Sequence, residues 1–316
     1  MDRNLALEIV RVTEAAALYA GRQMGRGDAE RANRSAIDAM AQAFSSISVQ
    51  GTIILGGLDR EGSPLPGGSR VGNATGAEID IALDALDGKT TCANGGNNAV
   101  ACIAMGEKGS IYKAPALYME KIAVGADAKG VVDITQSPEV NIKRVARAKN
   151  RYIEDLTVCV LDRERHSELI ERIRSTGARI KLINDGDISG AIAAAMIDKP
   201  IDILMGVGGA TQGVIAAAAI KCLGGDMQAR FIYRNEEDRE AIRAAGETDL
   251  NRIFSLGDLT RGDIVFAATG VTNGELLSGV NFFSGGAQTH SIIMRSKTRT
   301  IRFIAAQHHF DYKPMY

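Results

Sequence analysis

Short apolar runs of β character alternate along this chain with segments whose apolar residues recur at helical spacing. That alternation restricts the fold more than any other feature. One set of runs covers residues 52–55, 79–83, 100–105 and 117–124; a second covers 156–161, 179–183, 203–207, 230–233, 264–268 and 291–295. Helical spacing appears at 4–24 and 35–48, and again at 164–174 and 187–197. Strands separated by helices predict an α/β fold with parallel or mixed sheets and helices packed on their faces. A turn-rich stretch near 126–150 divides the two sets. Two sheets are therefore expected, in an N-terminal domain 1–150 and a C-terminal domain 151–316. A chain of 316 residues is long enough for both.

The charge balance excludes several partners. With 37 basic and 38 acidic residues the net charge is −1, so neither a nucleic-acid footprint nor an acidic tail stands out. No apolar run reaches the roughly 18 residues of a membrane helix, and the first residues lack the apolar core of a signal peptide. A cytoplasmic location, with no membrane and no nucleic-acid partner, is expected. Cys92, Cys102, Cys159 and Cys222 show no Cys-x-x-Cys spacing, which predicts buried free thiols rather than disulfides or zinc.

The stretch 81–90, Ile-Ala-Leu-Asp-Ala-Leu-Asp-Gly-Lys-Thr, carries the clearest chemistry. An apolar strand ends in Asp84, and Asp87 and Gly88 follow at once. Two carboxylates three residues apart on a tight turn can converge on one hard cation, and the glycine lets a phosphate approach the backbone. Taken alone, such a pair is more often a solvated turn than a metal site. Two further junctions suit anions. Residues 205–213 read Met-Gly-Val-Gly-Gly-Ala-Thr-Gln-Gly before an apolar helix, and Asn-Asp-Gly-Asp-Ile at 184–188 opens another with Asp187 as an N-cap. The first resembles a dinucleotide fingerprint, but no acidic residue clearly follows a second strand. A purely structural turn stays open for both.

The order of motifs resembles the class II fructose-1,6-bisphosphatases, some of which also act on sedoheptulose 1,7-bisphosphate. The likeness runs from about residue 5 to 312 with few gaps. It includes Arg11-Val-Thr-Glu, Gly25-Arg-Gly-Asp28, Gly51-Thr-Ile-Ile, Ala114-Pro-Ala-Leu-Tyr118-Met-Glu-Lys121, Asp185-Gly-Asp187, Gly225-Asp-Met, Ala268-Thr-Gly-Val-Thr and Ser296-Lys-Thr-Arg-Thr-Ile-Arg302. The resemblance implies a layered α-β-α-β-α sandwich shared with inositol monophosphatases. It further implies a cytoplasmic homo-oligomer acting on a sugar phosphate or bisphosphate with Mg²⁺ or Mn²⁺.

By the same resemblance, Gly88, Tyr118, Arg163, Arg165, Asp185, Gly186, Asp187 and Gly209 contact substrate. Arg163 and Arg165 fall where the family places a basic pair on the distal phosphate, a task that suits the planar guanidinium fork. The metal half is altered. Where the family has acidic ligands, this chain has Asn33, Gly57 and Gln212, and a family lysine is Ala29. The Asp-Pro-x-Glu-Gly-Thr signature reads Asp84-Ala85-Leu86-Asp87-Gly88-Lys89. Asp84 and Asp87 are the retained ligands, and Lys89 replaces the threonine that would orient water or phosphate. Thr90 takes that role only if the turn shifts by one residue. Asp59 and Glu61 remain in the altered loop as compensating acids.

Three functions follow as expectations. The first is a sugar-phosphate phosphatase with reduced or altered activity. It uses Asp84, Asp87, Lys89, Thr90 and Glu61, with Mg²⁺, Mn²⁺ or no metal. The second is a catalytically silent sugar-phosphate-binding or regulatory homologue. The third is a metal-independent isomerase or lyase with Lys89 as an imine-forming amine.

Overall fold

The structure, a computed structural model, describes residues 3–56 and 64–312. Helices α1 (Arg3–Gly21) and α2 (Ala29–Phe44) come first. Strands β1 (Gln50–Leu55), β2 (Arg70–Val71) and β3 (Glu78–Asp87), the short helix α3 (Lys89–Ala93), then β4 (Val100–Glu107) and β5 (Tyr118–Val124) follow. The middle of the chain holds α4 (Pro138–Ala148), β6 (Thr157–Leu161), α5 (Ser167–Ser175), β7 (Arg179–Ile183), α6 (Asp187–Ala195), β8 (Ile203–Gly209), α7 (Ala210–Leu223) and β9 (Asp226–Ile232). The last elements are α8 (Glu236–Ala244), β10 (Phe254–Ser255), α9 (Leu256–Leu259), β11 (Ile264–Gly270), β12 (Asn281–Phe283), β13 (Gly286–Arg295) and β14 (Thr300–His309).

The chain forms two compact units. The first joins the residues up to Ile111 with those from Arg261 onward, and the second is Tyr112–Thr260. The division differs from the one expected: residue 150 lies inside the second unit, and the first is built from two separate stretches. β11 and β13 cause this. β11 pairs antiparallel with β4, and β13 with β11, so late strands complete an early sheet. Local periodicity says nothing of which sheet a strand will join.

In the first unit eight strands run in the order β12-β13-β11-β4-β3-β1-β2, with β14 paired to β13. Only β1 and β3 are parallel; the other pairs are antiparallel. α1 and α2 cover this sheet. Asp28 caps α2 by accepting from Arg31 N at 2.9 Å, and Glu30 in the first turn suits the helix dipole. Ala32, Ala36, Ile37, Met40 and Phe44 recur at helical spacing and are buried, in one cluster with Ile9, Ile53, Ile81, Ile103 and Ile293.

The second unit is a six-stranded sheet, β10-β9-β5-β8-β6-β7, mixed in sense: β6 is parallel to β7 and β8, and β5 antiparallel to β8 and β9. Its core gathers Ile122, Ile142, Val145, Val158, Val160 and Ile203. Every residue of α6 is buried, which its alanine-rich sequence permits. Each unit is thus a sheet with helices packed on it, and two such sheets are the components of the expected sandwich. The sheets are mixed, with antiparallel pairs in the majority.

Most expected strands and helices form, with shifted ends. α2 starts six residues before the expected 35, at the Asp28 cap. The turn-rich stretch 126–150 contains α4, whose Ser137 cap and Pro138 start read as turn residues in isolation. β14 and α8 were not foreseen. The four cysteines are buried thiols outside any disulfide, as expected. Among the described residues no helix is long and apolar enough to cross a membrane.

Candidate active site

The decapeptide turn begins where β3 departs from regular pairing. Asp84 faces Cys102, but Asp87 faces Val100, so β3 carries one extra residue between them. A bulge of this kind re-aims the side chains that follow it. Asp84 Oδ1 accepts from Leu86 N at 3.1 Å, which closes the bulge on itself. Asp84 is half-buried and Asp87 only 4% exposed. Both carboxylates act on the Cys102 thiol: burial first, then Asp87 and Asp84, hold it well above its ordinary range. Gly88 then turns the chain with φ 89°, and a Cβ there would meet Ala99 Cα at 3.0 Å. Left-handed backbone and close approach both require glycine at this point.

The Gly25–Asp28 segment docks on the far end of this turn. Gly25 N and Gly27 N each donate at 2.9 Å to the carbonyls of Cys92 and Ala93, at the end of α3. α2 therefore starts beside α3. Its first turn presents Glu30 to Lys89, with Nζ and Oε1 2.6 Å apart, and its inner face buries Asn33. Lys89, expected in the place of a phosphate-orienting threonine or as an imine-forming amine, pairs with Glu30. Its side chain is 36% exposed, far from the desolvated setting that makes a lysine a nucleophile. Thr90 is exposed. Gly57, Asp59 and Glu61 lie outside the described residues.

Among the described residues no group of three or more His, Cys, Asp or Glu side chains could hold a metal. Two carboxylates on one bulged strand end fit a single Mg²⁺ or Mn²⁺ ion, with water and a phosphate oxygen completing its shell. They do not by themselves fit a multi-metal cluster.

The residues expected to grip sugar phosphate lie in the second unit. Tyr118 opens β5, flanked in register by Gly209 of β8 and Ile232 of β9. The Arg165 guanidinium carbon lies 5.2 Å from the centre of the Tyr118 ring, and that of Arg234, just beyond β9, lies 5.5 Å from it. Arg165 is anchored by Nε and Nη2, which donate to Val207 O at 3.2 and 2.8 Å. Among the described residues, Arg163 donates to the adjacent Asp162 carbonyl alone, at 3.0 Å. Arg163 precedes and Arg165 lies within a 3₁₀ turn, Glu164–His166, after β6, and buried His166 fixes that turn. His166 Nε2 accepts from Val207 N at 2.8 Å, so Nδ1 carries the proton and donates to Leu161 O at 2.8 Å. Burial lowers the His166 pKa; the Leu161 hydrogen bond opposes this, and Arg165, Arg163 and Lys121 add to the lowering.

Asp185, Gly186 and Asp187 open α6. Gly186 is left-handed at φ 83° and donates to Asp185 Oδ1 at 3.1 Å. Asp187, expected to contact substrate, is buried in an ion pair with Lys121 Nζ. Lys121 also donates to Gly209 O at 3.3 Å, so one lysine ties β5 to the starts of α6 and α7. A Cβ on Gly208 would collide with both members of this pair, and a Cβ on Gly209 would strike the Gln212 side-chain oxygen. Gln212 therefore folds back on the turn. A void of about 10 Å³ beside Lys121 and Asp187 has room for about one water.

The second unit thus gathers Tyr118, Arg165, Asp187, Gly209 and Gln212. The first gathers Asn33, Asp84, Asp87, Gly88 and Lys89. Sequence reading missed Lys121, His166, Arg234 and Glu30 as site residues. A lysine inside the apolar run 119–124 was the one visible signal; the others depend on contacts distant in sequence.

Comparisons with known proteins identify the family. The model of the family described as bacterial fructose-1,6-bisphosphatase, glpX-encoded, matches residues 3–308. A D-fructose 1,6-bisphosphatase class 2/sedoheptulose 1,7-bisphosphatase of Synechococcus sp. (strain JA-2-3B'a(2-13)) is 41% identical over 337 aligned positions, covering 98% of this chain and 97% of that protein. The protein of the same name from Synechococcus elongatus is 39% identical, covering 98% of each. The alignment is longer than the 316-residue chain, so the relatives carry insertions that the expectation of few gaps did not foresee. A family match over nearly the whole chain, with relatives about 40% identical along their full length, shows that this chain belongs to the bacterial, glpX-encoded fructose-1,6-bisphosphatase family.

Proposed function

We propose that this chain is a phosphoric monoester hydrolase acting on a ketose bisphosphate, with a weakened metal site and correspondingly low turnover. Fructose 1,6-bisphosphate and sedoheptulose 1,7-bisphosphate are the substrates named for its relatives. The observation that carries the reading is the bulge that turns Asp84 and Asp87 toward one end of β3 beside left-handed Gly88.

Asp84 and Asp87 would hold one Mg²⁺ or Mn²⁺. When bound, that ion supplies Lewis-acid polarisation of the phosphoryl oxygens and an activated water. The residues of the chain do the rest. Gly88 leaves room for the reacting phosphate against the backbone. Arg165 is pre-oriented by Val207 O and Tyr118, so its outer face grips the distal phosphate with little loss of rotamer freedom. Arg163 adds charge to the same grip. Asp185 takes a sugar hydroxyl, and Asp187, neutralised by Lys121, holds its loop in place. Lys89, paired with Glu30, occupies the position of a water-orienting threonine without performing its task. The neutral Asn33 favours a second reading, a sugar-phosphate-binding homologue without turnover. On family analogy the protein is a cytoplasmic homo-oligomer.

Phosphate release from fructose 1,6-bisphosphate, with and without Mn²⁺, tests the proposal. Release that requires Mn²⁺ and stays well below about 10 s⁻¹, the median enzyme value, is expected. Replacing Asn33→Asp, Gly57→Glu and Gln212→Glu should raise it only when Lys89→Thr is added. Sugar-phosphate binding with no release at any Mn²⁺ level would replace hydrolysis with the binding role.

A further inference from the structure

Strand directions bring the functional residues of the second unit to one edge of its sheet. β6, β7 and β8 run parallel, so Arg165, Asp185 and Gly209 all sit at or just beyond carboxyl ends. β5 runs antiparallel to β8 and β9, so its first residue, Tyr118, lies at that same edge, as does the end of β9. The strand order β9-β5-β8-β6-β7 then sets the order of groups along the edge. Asp185, after β7, stands at one end. The arginine turn after β6 comes next, then Gly209 and Tyr118. Arg234, two residues beyond β9, stands at the other end. Neighbouring strands lie roughly 4.8 Å apart, so each step along the edge is about the span of three bonded carbon atoms.

Arg234 is built as a second grip. Its guanidinium carbon lies 5.5 Å from the centre of the Tyr118 ring, against 5.2 Å for Arg165. Arg165 reaches the ring from the β8 side, where Val207 O holds it, and Arg234 from the β9 side. The ring itself is 40% exposed, so a ligand can lie along it. Asp238 fixes Arg234 from behind: its Oδ2 accepts from Arg234 N at 2.9 Å and from Nε at 3.2 Å. Asp238 is buried, and the hydrogen bond from the Arg234 backbone holds its carboxyl below the ordinary range. Nε carries one of the five guanidinium N–H donors, so four remain on the terminal nitrogens, and the side chain stays 66% exposed. The two arginines differ in strength. Arg165 is anchored by a neutral carbonyl and keeps its full charge, whereas Arg234 shares its charge with Asp238.

A seven-carbon ketose phosphate carries one more CHOH group between its ring and its terminal phosphate than a six-carbon one. With a sugar hydroxyl held at Asp185, that added carbon moves the phosphate along the edge, away from Asp185 and toward Arg234. Arg165 is pinned at two nitrogens and cannot follow it. We propose that Arg234 is a specificity-determining residue: it completes the phosphate grip begun by Arg165 and favours the longer ketose phosphate. The phosphate of the shorter sugar stays with Arg165, and that of the longer one lies beside Tyr118 between the two guanidinium forks. The inference rests on the reading of Arg165 and Asp185 as sugar-phosphate contacts.

Calorimetry on the full chain with fructose 6-phosphate and sedoheptulose 7-phosphate tests it. Arg234→Gln should weaken sedoheptulose 7-phosphate by roughly tenfold, the weight of one charge-assisted hydrogen bond, and fructose 6-phosphate by less than about threefold. Arg234→Lys should recover part of the loss. Arg165→Ala should weaken both ligands. Equal losses for the two sugars in the Arg234→Gln protein, or no loss for either, overturn the inference; the site itself then stands on the Arg165→Ala result. Unchanged affinity for both sugars in the Arg165→Ala protein overturns the site, and the role of Arg234 falls with it.

Discussion

Lys89 Nζ lies 2.6 Å from Glu30 Oε1, so the turn after β3 is tied by charge to the first turn of α2. The pair spans 59 residues of sequence and occupies a place where the family resemblance implies a neutral hydroxyl. The amine faces a carboxylate of its own unit rather than a substrate.

An imine at Lys89 is therefore not expected. Treatment with borohydride and fructose 1,6-bisphosphate should leave the mass unchanged; a stable adduct on Lys89 would contradict the pairing. Because both side chains are partly solvated, Glu30→Gln should change stability by less than about 1 kcal/mol in denaturant titration. Lys89→Thr should tighten Mn²⁺ binding by removing a cation from the turn that carries Asp84 and Asp87.

Arg165 is held at three points and Arg163 at one, so their contributions to sugar-phosphate binding should differ. Arg165→Ala should cost about 1.5–3 kcal/mol, the range for a charge-assisted hydrogen bond, and Arg163→Ala less. Calorimetry with fructose 6-phosphate compares them. Unchanged affinity in the double variant would remove both from the site.

His166 gives the fold a defined acid sensitivity. Burial lowers its folded pKa below the ordinary 6.5, so the unfolded chain takes up a proton before the native one does. Its contribution to stability is complete above about pH 6.5 and is lost as pH falls below that toward the depressed folded value. Urea titrations from pH 8 to 5 should show this slope, and His166→Asn should abolish it. That variant should also lose about 1–3 kcal/mol at pH 7.5, because a buried hydrogen-bonding group at Val207 or Leu161 loses its partner. An identical acid slope in the variant would assign it to other groups.

The Lys121–Asp187 pair is buried on both sides. Lys121→Met should destabilise the protein by about 3–5 kcal/mol, since it strands a buried carboxylate, and Lys121→Met with Asp187→Leu should recover much of the loss. Thermal unfolding distinguishes the cases. Gly208→Ala should mimic the single variant, because its methyl group would occupy the space of the pair.

The sequence by itself determined the class of elements and the chemistry of the turn. Apolar alternation placed β3, β4, β5 and β8, because a strand buried on both faces must read as a continuous apolar run. The motif order gave the family, and with it the identity of Asp84, Asp87, Tyr118 and Arg165 as residues to examine. Only the tertiary structure decided which partners those residues meet. Strand pairing carried β11, β13 and β14 back to the sheet of β3, so the unit boundary fell at 111 and 260 instead of 150. Tertiary packing likewise set Lys89 against Glu30 and Asp187 against Lys121. These ion pairs join residues far apart in sequence, and periodicity within a window of a dozen residues holds no record of them.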